Sequence, residues 1–264
     1  MLSMKPQSIR ALGILHVLLM MSSVGYAQLT PIPDPNFWVT DGPVHAVHKT
    51  GNTIYIGGNF SRVGPNAPYG AKVDSVTGMP DVSFAKPNGS VLAVVPDGNG
   101  GWFIGGEFTA VGGEDRKHLA RINGNGTLHP WSPSANDLVR VLSLMGDVLY
   151  AGGDFTEIDG ISTRFIAALD AATGVPKPWS VYPNDRVRTI APYGGKLYLG
   201  GDFTKIGGQT RNHVAALDPV VGTLLNWNAD VDDTVRAVAP SGMMLVVGGD
   251  FSTVGGLGRT VSPR

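Results

Sequence analysis

The feature that most restricts this chain is a recurring stretch, seen in full as Leu197-Tyr198-Leu199-Gly200-Gly201-Asp202-Phe203-Thr204-Lys205-Ile206-Gly207-Gly208. Related copies begin at Ile54, Trp102, Leu149 and Leu245, and the Gly-Gly pairs start at Gly57, Gly105, Gly152, Gly200 and Gly248. The spacing is about 48 residues, which indicates one supersecondary unit copied in an array. Each copy has four parts. A short apolar strand starts at Val44, Val91, Val139, Val187 or Val235. A Gly-bearing turn such as Met145-Gly146-Asp147 or Gly194-Gly195-Lys196 predicts a hairpin. A second strand then runs into Gly-Gly, and a third apolar run follows, as in Leu119-Ala120-Arg121-Ile122 or Val214-Ala215-Ala216-Leu217. The fourth part is short and ends in Phe84, Trp131, Trp179 or Trp227, with Phe37 in the same slot ahead of the first copy.

Four short strands per unit, at blade length, predict an all-β chain forming a β-propeller of about five four-stranded blades. The structural alternatives are a fragment of a larger propeller and a β-solenoid, whose coils are shorter and rarely contain hairpin turns. No segment shows a sustained helical period. The last copy stops before its fourth strand, and Phe37-Trp38 could supply that strand from the other end of the chain. Unpaired sheet edges invite self-association, which favours such closure. The frequent Gly, 37 in 264 residues, and the 19 Pro suit many strands and tight turns.

Residues 1–27 have the pattern of a secretory signal: Lys5 and Arg10, an apolar run over 11–21, and Gly25-Tyr26-Ala27 with small residues at the cleavage positions. The run is too short to favour a membrane anchor. The domain plan is therefore a signal peptide over 1–27, an extended Pro-rich lead-in over 28–43, and the array over 44–264. Secretion to the cell surface or the bacterial envelope is the expected localisation, with no membrane span after cleavage. The formal net charge is -1, and removal of the two basic residues of the leader brings it to about -3. That is no electrostatic footprint for nucleic acid. Cysteine is absent, which removes thiolate chemistry and Cys-based zinc sites.

Within the repeat, Gly-Gly is expected to permit positive φ and close backbone approach. The next residue, Asn59, Glu107, Asp154, Asp202 or Asp250, is expected to accept backbone N–H groups in a turn. Phe60, Phe108, Phe155, Phe203 and Phe251 then read as apolar plugs between adjacent sheets. Residues in five equivalent places suit packing better than a single active site. The Gly-Gly-Asp-Phe string resembles a diguanylate cyclase signature, but the following acid is missing and the string recurs.

The full pattern from Leu197 to Gly208, with Arg211 and Val214-Ala215-Ala216-Leu217-Asp218 after it, resembles the delta-60 repeat of secreted bacterial β-propeller-like proteins. Related repeats occur in fungal cell-surface cortical markers. The resemblance covers about residues 37–264, and the first copy departs from it at Pro65-Asn66-Ala67-Pro68-Tyr69. It implies a surface or secreted scaffold and supplies no catalytic residues.

The six histidines form no zinc-binding pair, and His45 and His48, three apart on a strand, are expected to face opposite ways. No catalytic constellation stands out and no cofactor is implied, with calcium the one metal considered. Its ligands would be Asp230, Asp232 and Asp233, the densest acidic stretch. The residue after each first-strand Val is His45, Leu92, Arg140, Arg188 or Arg236. In a propeller these positions ring the central channel. Two readings follow: each Arg pairs with Asp137, Asp185 or Asp233 and bridges neighbouring blades, or the arc binds the carboxylate or sulfate of a glycan. The expected function is a binding or scaffold module for an extracellular protein or glycan. The alternative is a hydrolase or lyase acting on an extracellular polysaccharide.

Overall fold

The computed structural model describes residues 38–50, 53–58, 63–65, 68–72, 81, 83–179, 181–255 and 257–258. Residues 1–27, expected to be a signal peptide, residues 28–37 and Phe60 lie outside the described residues. Every described regular element is a β-strand. The fold is all-β and propeller-type, and no helix among the described residues is long and apolar enough to cross a membrane.

The chain divides into two compact units, residues 1–67 with 71–83, and residues 68–70 with 84–264. In the first unit Val44–Thr50 pairs antiparallel with Thr53–Gly58, and Trp38–Thr40 pairs with Val63–Pro65. Trp38–Thr40 is thus a paired strand at the end of the lead-in. Lys72 Nζ meets Asp81 at 3.2 Å. Hydrogen bonds from Ser83, and then the Lys72 contact, hold the Asp81 carboxyl down to about 2.

The second unit is built from consecutive sheets of one plan. First strands Val91–Pro96, Val139–Met145, Val187–Tyr193 and Val235–Ser241 pair antiparallel with second strands Trp102–Gly106, Val148–Gly153, Lys196–Gly201 and Met244–Gly249. Third strands Leu119–Ile122, Ile166–Asp170 and Val214–Leu217 complete three of these sheets. The expected fourth strand is reduced to one bridge per repeat: Ile122 with Leu128, Leu169 with Pro176, and Leu217 with Leu224. Proline explains part of this, since Pro176 and Pro178 lack the N–H that a ladder needs. Between the second and third strands lies a two-residue hairpin, as in Glu157–Ile158 with Ile161–Ser162 and Lys205–Ile206 with Gln209–Thr210.

Apolar layers between successive sheets hold the unit together. One layer contains Phe103, Leu119, Val139, Leu142, Leu149 and Phe155, and the next contains Tyr150, Ile166, Val187, Ile190, Leu199 and Phe203. Phe108, Phe155 and Phe203 are fully buried, whereas Phe251 packs partly exposed on the third layer. Trp131, Trp179 and Trp227 each lie edge-on or tilted against an aromatic of their own repeat's second strand. Trp131 meets Phe103 at 5.0 Å between ring centroids, Trp179 meets Tyr150 at 5.8 Å, and Trp227 meets Tyr198 at 5.1 Å. Burying one such ring stabilises the fold by about 1.5–3 kcal/mol relative to leaving it exposed.

The Gly-Gly pair has a specific steric cause. A Cβ on Gly105 would stand 2.6 Å from Cγ1 of Val139, the first-strand Val of the next repeat. Gly152 faces Val187 in the same way at 2.8 Å, and Gly200 faces Val235 at 2.5 Å. The second glycine, Gly106, Gly153, Gly201 or Gly249, would drive a Cβ into the carbonyl oxygen of Ser90, Leu138, Arg186 or Thr234. Close approach is therefore the reason for both glycines of the pairs at Gly105, Gly152 and Gly200, and for the second glycine at Gly249; a Cβ on Gly248 would meet nothing within 4 Å. The positive φ also expected is not found: none of these described pairs lies in the left-handed region, which is occupied instead by turn glycines such as Gly146 and Gly194.

Candidate functional site

Every first strand begins with a break in register. Val139 pairs with Gly153 and Val141 with Gly152, so Arg140 is the extra residue of a β-bulge. The same break falls at Leu92, Arg188 and Arg236, and at His45 in the first unit. A bulge re-aims its side chain and bends the strand. The side chain of His45 lies outside the described residues.

The bulge and Gly-Gly act together to place a carboxylate. The residue after the pair donates its backbone N–H to the carbonyl just before the first-strand Val: Asp154 to Leu138 at 2.9 Å, Asp202 to Arg186 at 3.1 Å, Asp250 to Thr234 at 3.0 Å. Its side chain then meets the bulged arginine of the same repeat in a two-pronged fork. Arg140 Nε and Nη2 donate to Asp154 at 2.7 and 2.6 Å. Arg188 donates to Asp202 at 2.6 and 2.8 Å, and Arg236 to Asp250 at 2.8 and 2.6 Å. Parallel charge-assisted bonds of this kind are among the strongest a side chain makes.

These forks correct two expectations. Asp154, Asp202 and Asp250 take up arginine rather than turn N–H groups. Asp137, Asp185 and Asp233 are not the partners of the bulged arginines. Each accepts the backbone N–H of the residue after it, from Leu138, Arg186 and Thr234. The bulge explains the change, because it turns the arginine across to the end of its paired strand.

Links between repeats come from other residues. Arg186 Nε lies 3.7 Å from Asp154 and 3.2 Å from Asp202, so one guanidinium touches the forks of two repeats. The Thr234 hydroxyl donates to Asp202 at 3.1 Å. Burial opposes ionisation of Asp202, but Arg188, Thr234 and Arg186 outweigh it and lower its pKa. The Arg236 bond, partly opposed by desolvation, lowers the pKa of Asp250. The Asp154 bond raises that of Arg140.

Arg140, Arg188 and Arg236 come together with Leu92 around one cavity of about 250 Å³. Nε and Nη2 of each arginine are occupied, and Nη1 makes no hydrogen bond among the described residues. The cavity thus presents spare guanidinium donors on cations whose geometry is already fixed.

The three acids proposed for calcium are not brought together. Asp230 Oδ1 accepts Asn212 Nδ2 at 2.8 Å. Asp232 accepts the backbone N–H groups of Ser252 and Thr253 and the Ser252 hydroxyl. It repeats the role of Asn136 and Asn184, which cap the corresponding hairpins. These bonds, led by the Ser252 hydroxyl, hold its carboxyl well below the usual range. Among the described residues no group of three His, Cys, Asp or Glu side chains converges on a point.

The arginine–aspartate forks were missed in the sequence, yet they leave a signal there. Arg occurs at the bulge wherever Asp follows Gly-Gly, while Leu92 goes with Glu107 and His45 with Asn59.

A family model described as a domain of unknown function (DUF5122) with a β-propeller fold matches residues 98–130 and 195–224. Both segments run from the hairpin turn to the fourth part of a repeat. The chain carries repeats of a propeller type. The computationally designed Ika8 protein, 16% identical, aligns with a TM-score of 0.47 over 79% of this chain and 57% of its own. This chain therefore spans little more than half of that protein. The designed Ika4 protein, also 16% identical, aligns with a TM-score of 0.43 over 70% of this chain and 97% of its own. No curated protein matches this chain.

Proposed function

We propose that this chain is a secreted or cell-surface binding module whose arginine-lined cavity receives the carboxylate or sulfate of an acidic glycan. A propeller-type domain fits a binding or scaffold role. The observation that carries the ligand class is the meeting of Arg140, Arg188 and Arg236 at one cavity, each with Nη1 uncommitted. A planar guanidinium already held by an aspartate loses little entropy when it binds an anion. Catalysis is the weaker reading, because the arginines hold Asp202 and Asp250 as anions and neither is poised to give up a proton near neutral pH.

Replacing Arg188 by Met keeps much of the volume and removes the charge. Weaker binding of oligogalacturonate, with the urea midpoint little changed, is the expected result. A lower midpoint with binding intact would reduce the forks to structural staples. The delivery proposal is checked by mass spectrometry of protein recovered outside the cell, which should begin at Gln28, free or cyclised. A chain still starting at Met1 would sink it.

A further inference from the structure

A second depression, of about 500 Å³, lies beside the small hairpins of two consecutive repeats, and its lining includes Ser162, Arg164, Tyr182, Pro183, Lys205 and Gly207. Its chemistry breaks the repeat. Where this groove has Arg164, Tyr182 and Lys205, the preceding repeat junction has Lys117, Ser134 and Glu157, and the following one has Asn212, Asp230 and Thr253. At the preceding junction the backbone N–H of Ser134 is taken by the Asp159 carboxylate at 2.9 Å. At the following one Asn212 is bonded to Asp230 at 2.8 Å. Here, among the described residues, no carboxylate lines the groove and the Arg164 and Lys205 side chains make no hydrogen bond or ion pair.

The backbone on one wall differs as well. Arg164 has φ of 29° and Phe165 of 69°. In the flanking repeats only the second of these positions, His118 or His213, is left-handed. The change accompanies Thr163-Arg164-Phe165 in place of Arg116-Lys117-His118 and Arg211-Asn212-His213. Tyr182 is fixed by its hydroxyl, which donates to the carbonyl of Trp179 at 2.6 Å. Backbone groups nearby are already paired: Gly207 N–H with Tyr182 carbonyl, and Asn184 N–H with Lys205 carbonyl, both at 3.0 Å. Unpaired cations over a mainly apolar floor suit a ring that carries an anionic group.

We propose that this groove is a separate binding site for an acidic sugar residue of a polysaccharide. Arg164 and Lys205 take its carboxylate or sulfate, and the half-buried Tyr182 ring takes the apolar face of the sugar. The proposal does not depend on the arginine-lined cavity.

Calorimetry with oligogalacturonate tests it, with a sulfated dextran oligosaccharide as the sulfate probe. Arg164→Gln combined with Lys205→Gln should weaken binding about tenfold or more and flatten its salt dependence. Lys205→Glu alone should act in the same direction, and urea midpoints of both variants should match the unaltered protein. Arg188→Met should leave the groove's binding step in place. Unchanged affinity in the double variant, or equal binding of the fully methyl-esterified, neutral oligomer, would overturn the proposal. So would preference for poly-glutamate over both glycans, which would point to a protein partner, or no binding of either glycan by the unaltered chain. Binding abolished by Arg188→Met but untouched by the double variant would place the glycan in the cavity and overturn the groove alone.

Discussion

The cavity and the groove are both lined by cations, but they treat those cations in opposite ways. In the cavity three arginines occupy the same position in three repeats, and each is locked to an aspartate by two short bonds. In the groove Arg164 and Lys205 occur in a single junction, and among the described residues no carboxylate lines it with them. The repeated charges run from partly buried to exposed, Arg188 at 23% and Asp202 at 18% against Arg236 at 55% and Asp250 at 45% of the side chain, and the buried ones need their partners. A charge that breaks the repeat stands in solvent and costs the fold little. The contrast separates what the repeat spends on holding itself together from what one junction can devote to a ligand.

The largest effect expected from a repeated residue is in the apolar layers beneath both sites. Phe203→Ala empties a fully buried site between two sheets and should cost about 3–5 kcal/mol. A midpoint in urea close to that of the unaltered protein would contradict the plug role. An intermediate effect is expected from acid. Asp202 and Asp250 have folded pKa values below the ordinary 3.8, held there by the arginines against desolvation. Their contribution to stability is present above that value and is lost as pH falls through the folded values. Urea midpoints should therefore drop as pH falls below the ordinary 3.8, and Asp202→Asn should flatten that slope. A slope unaltered by Asp202→Asn would mean that the forks contribute nothing. The smallest effect belongs to the groove. Lys205→Ala should change stability by less than about 0.5 kcal/mol. A larger loss would give Lys205 a structural role and erase the contrast.

The sequence carried the period, the strand starts and the steric need at Gly-Gly, because those are recorded in residue type at fixed spacing. It carried less of the site. The bulge at Arg140, Arg188 and Arg236 is a property of pairing between two strands, and register cannot be counted along one strand alone. Without the bulge, the nearest acids in sequence, Asp137, Asp185 and Asp233, looked like the partners. The true partners stand fourteen residues after the arginines. The hairpins after the buried Phe were also hidden, since two-residue strands are too short to show alternation. The groove was legible in principle: Thr163-Arg164-Phe165 departs from Arg-x-His on either side. It becomes visible only when the same slot is compared across junctions.

The contact of Gly105 with Val139, repeated by Gly152 with Val187 and by Gly200 with Val235, has an evolutionary consequence. Each junction is made from the same two half-surfaces, one at the end of a repeat's second strand and one at the start of the next. Duplicating or deleting a whole repeat leaves every remaining junction matched, wherever the cut falls within the unit. A partial insertion would set a side chain where only hydrogen fits. Gene copying can therefore lengthen or shorten such an array in whole steps, while a singular groove such as the one at Arg164 is lost or doubled with the junction that carries it.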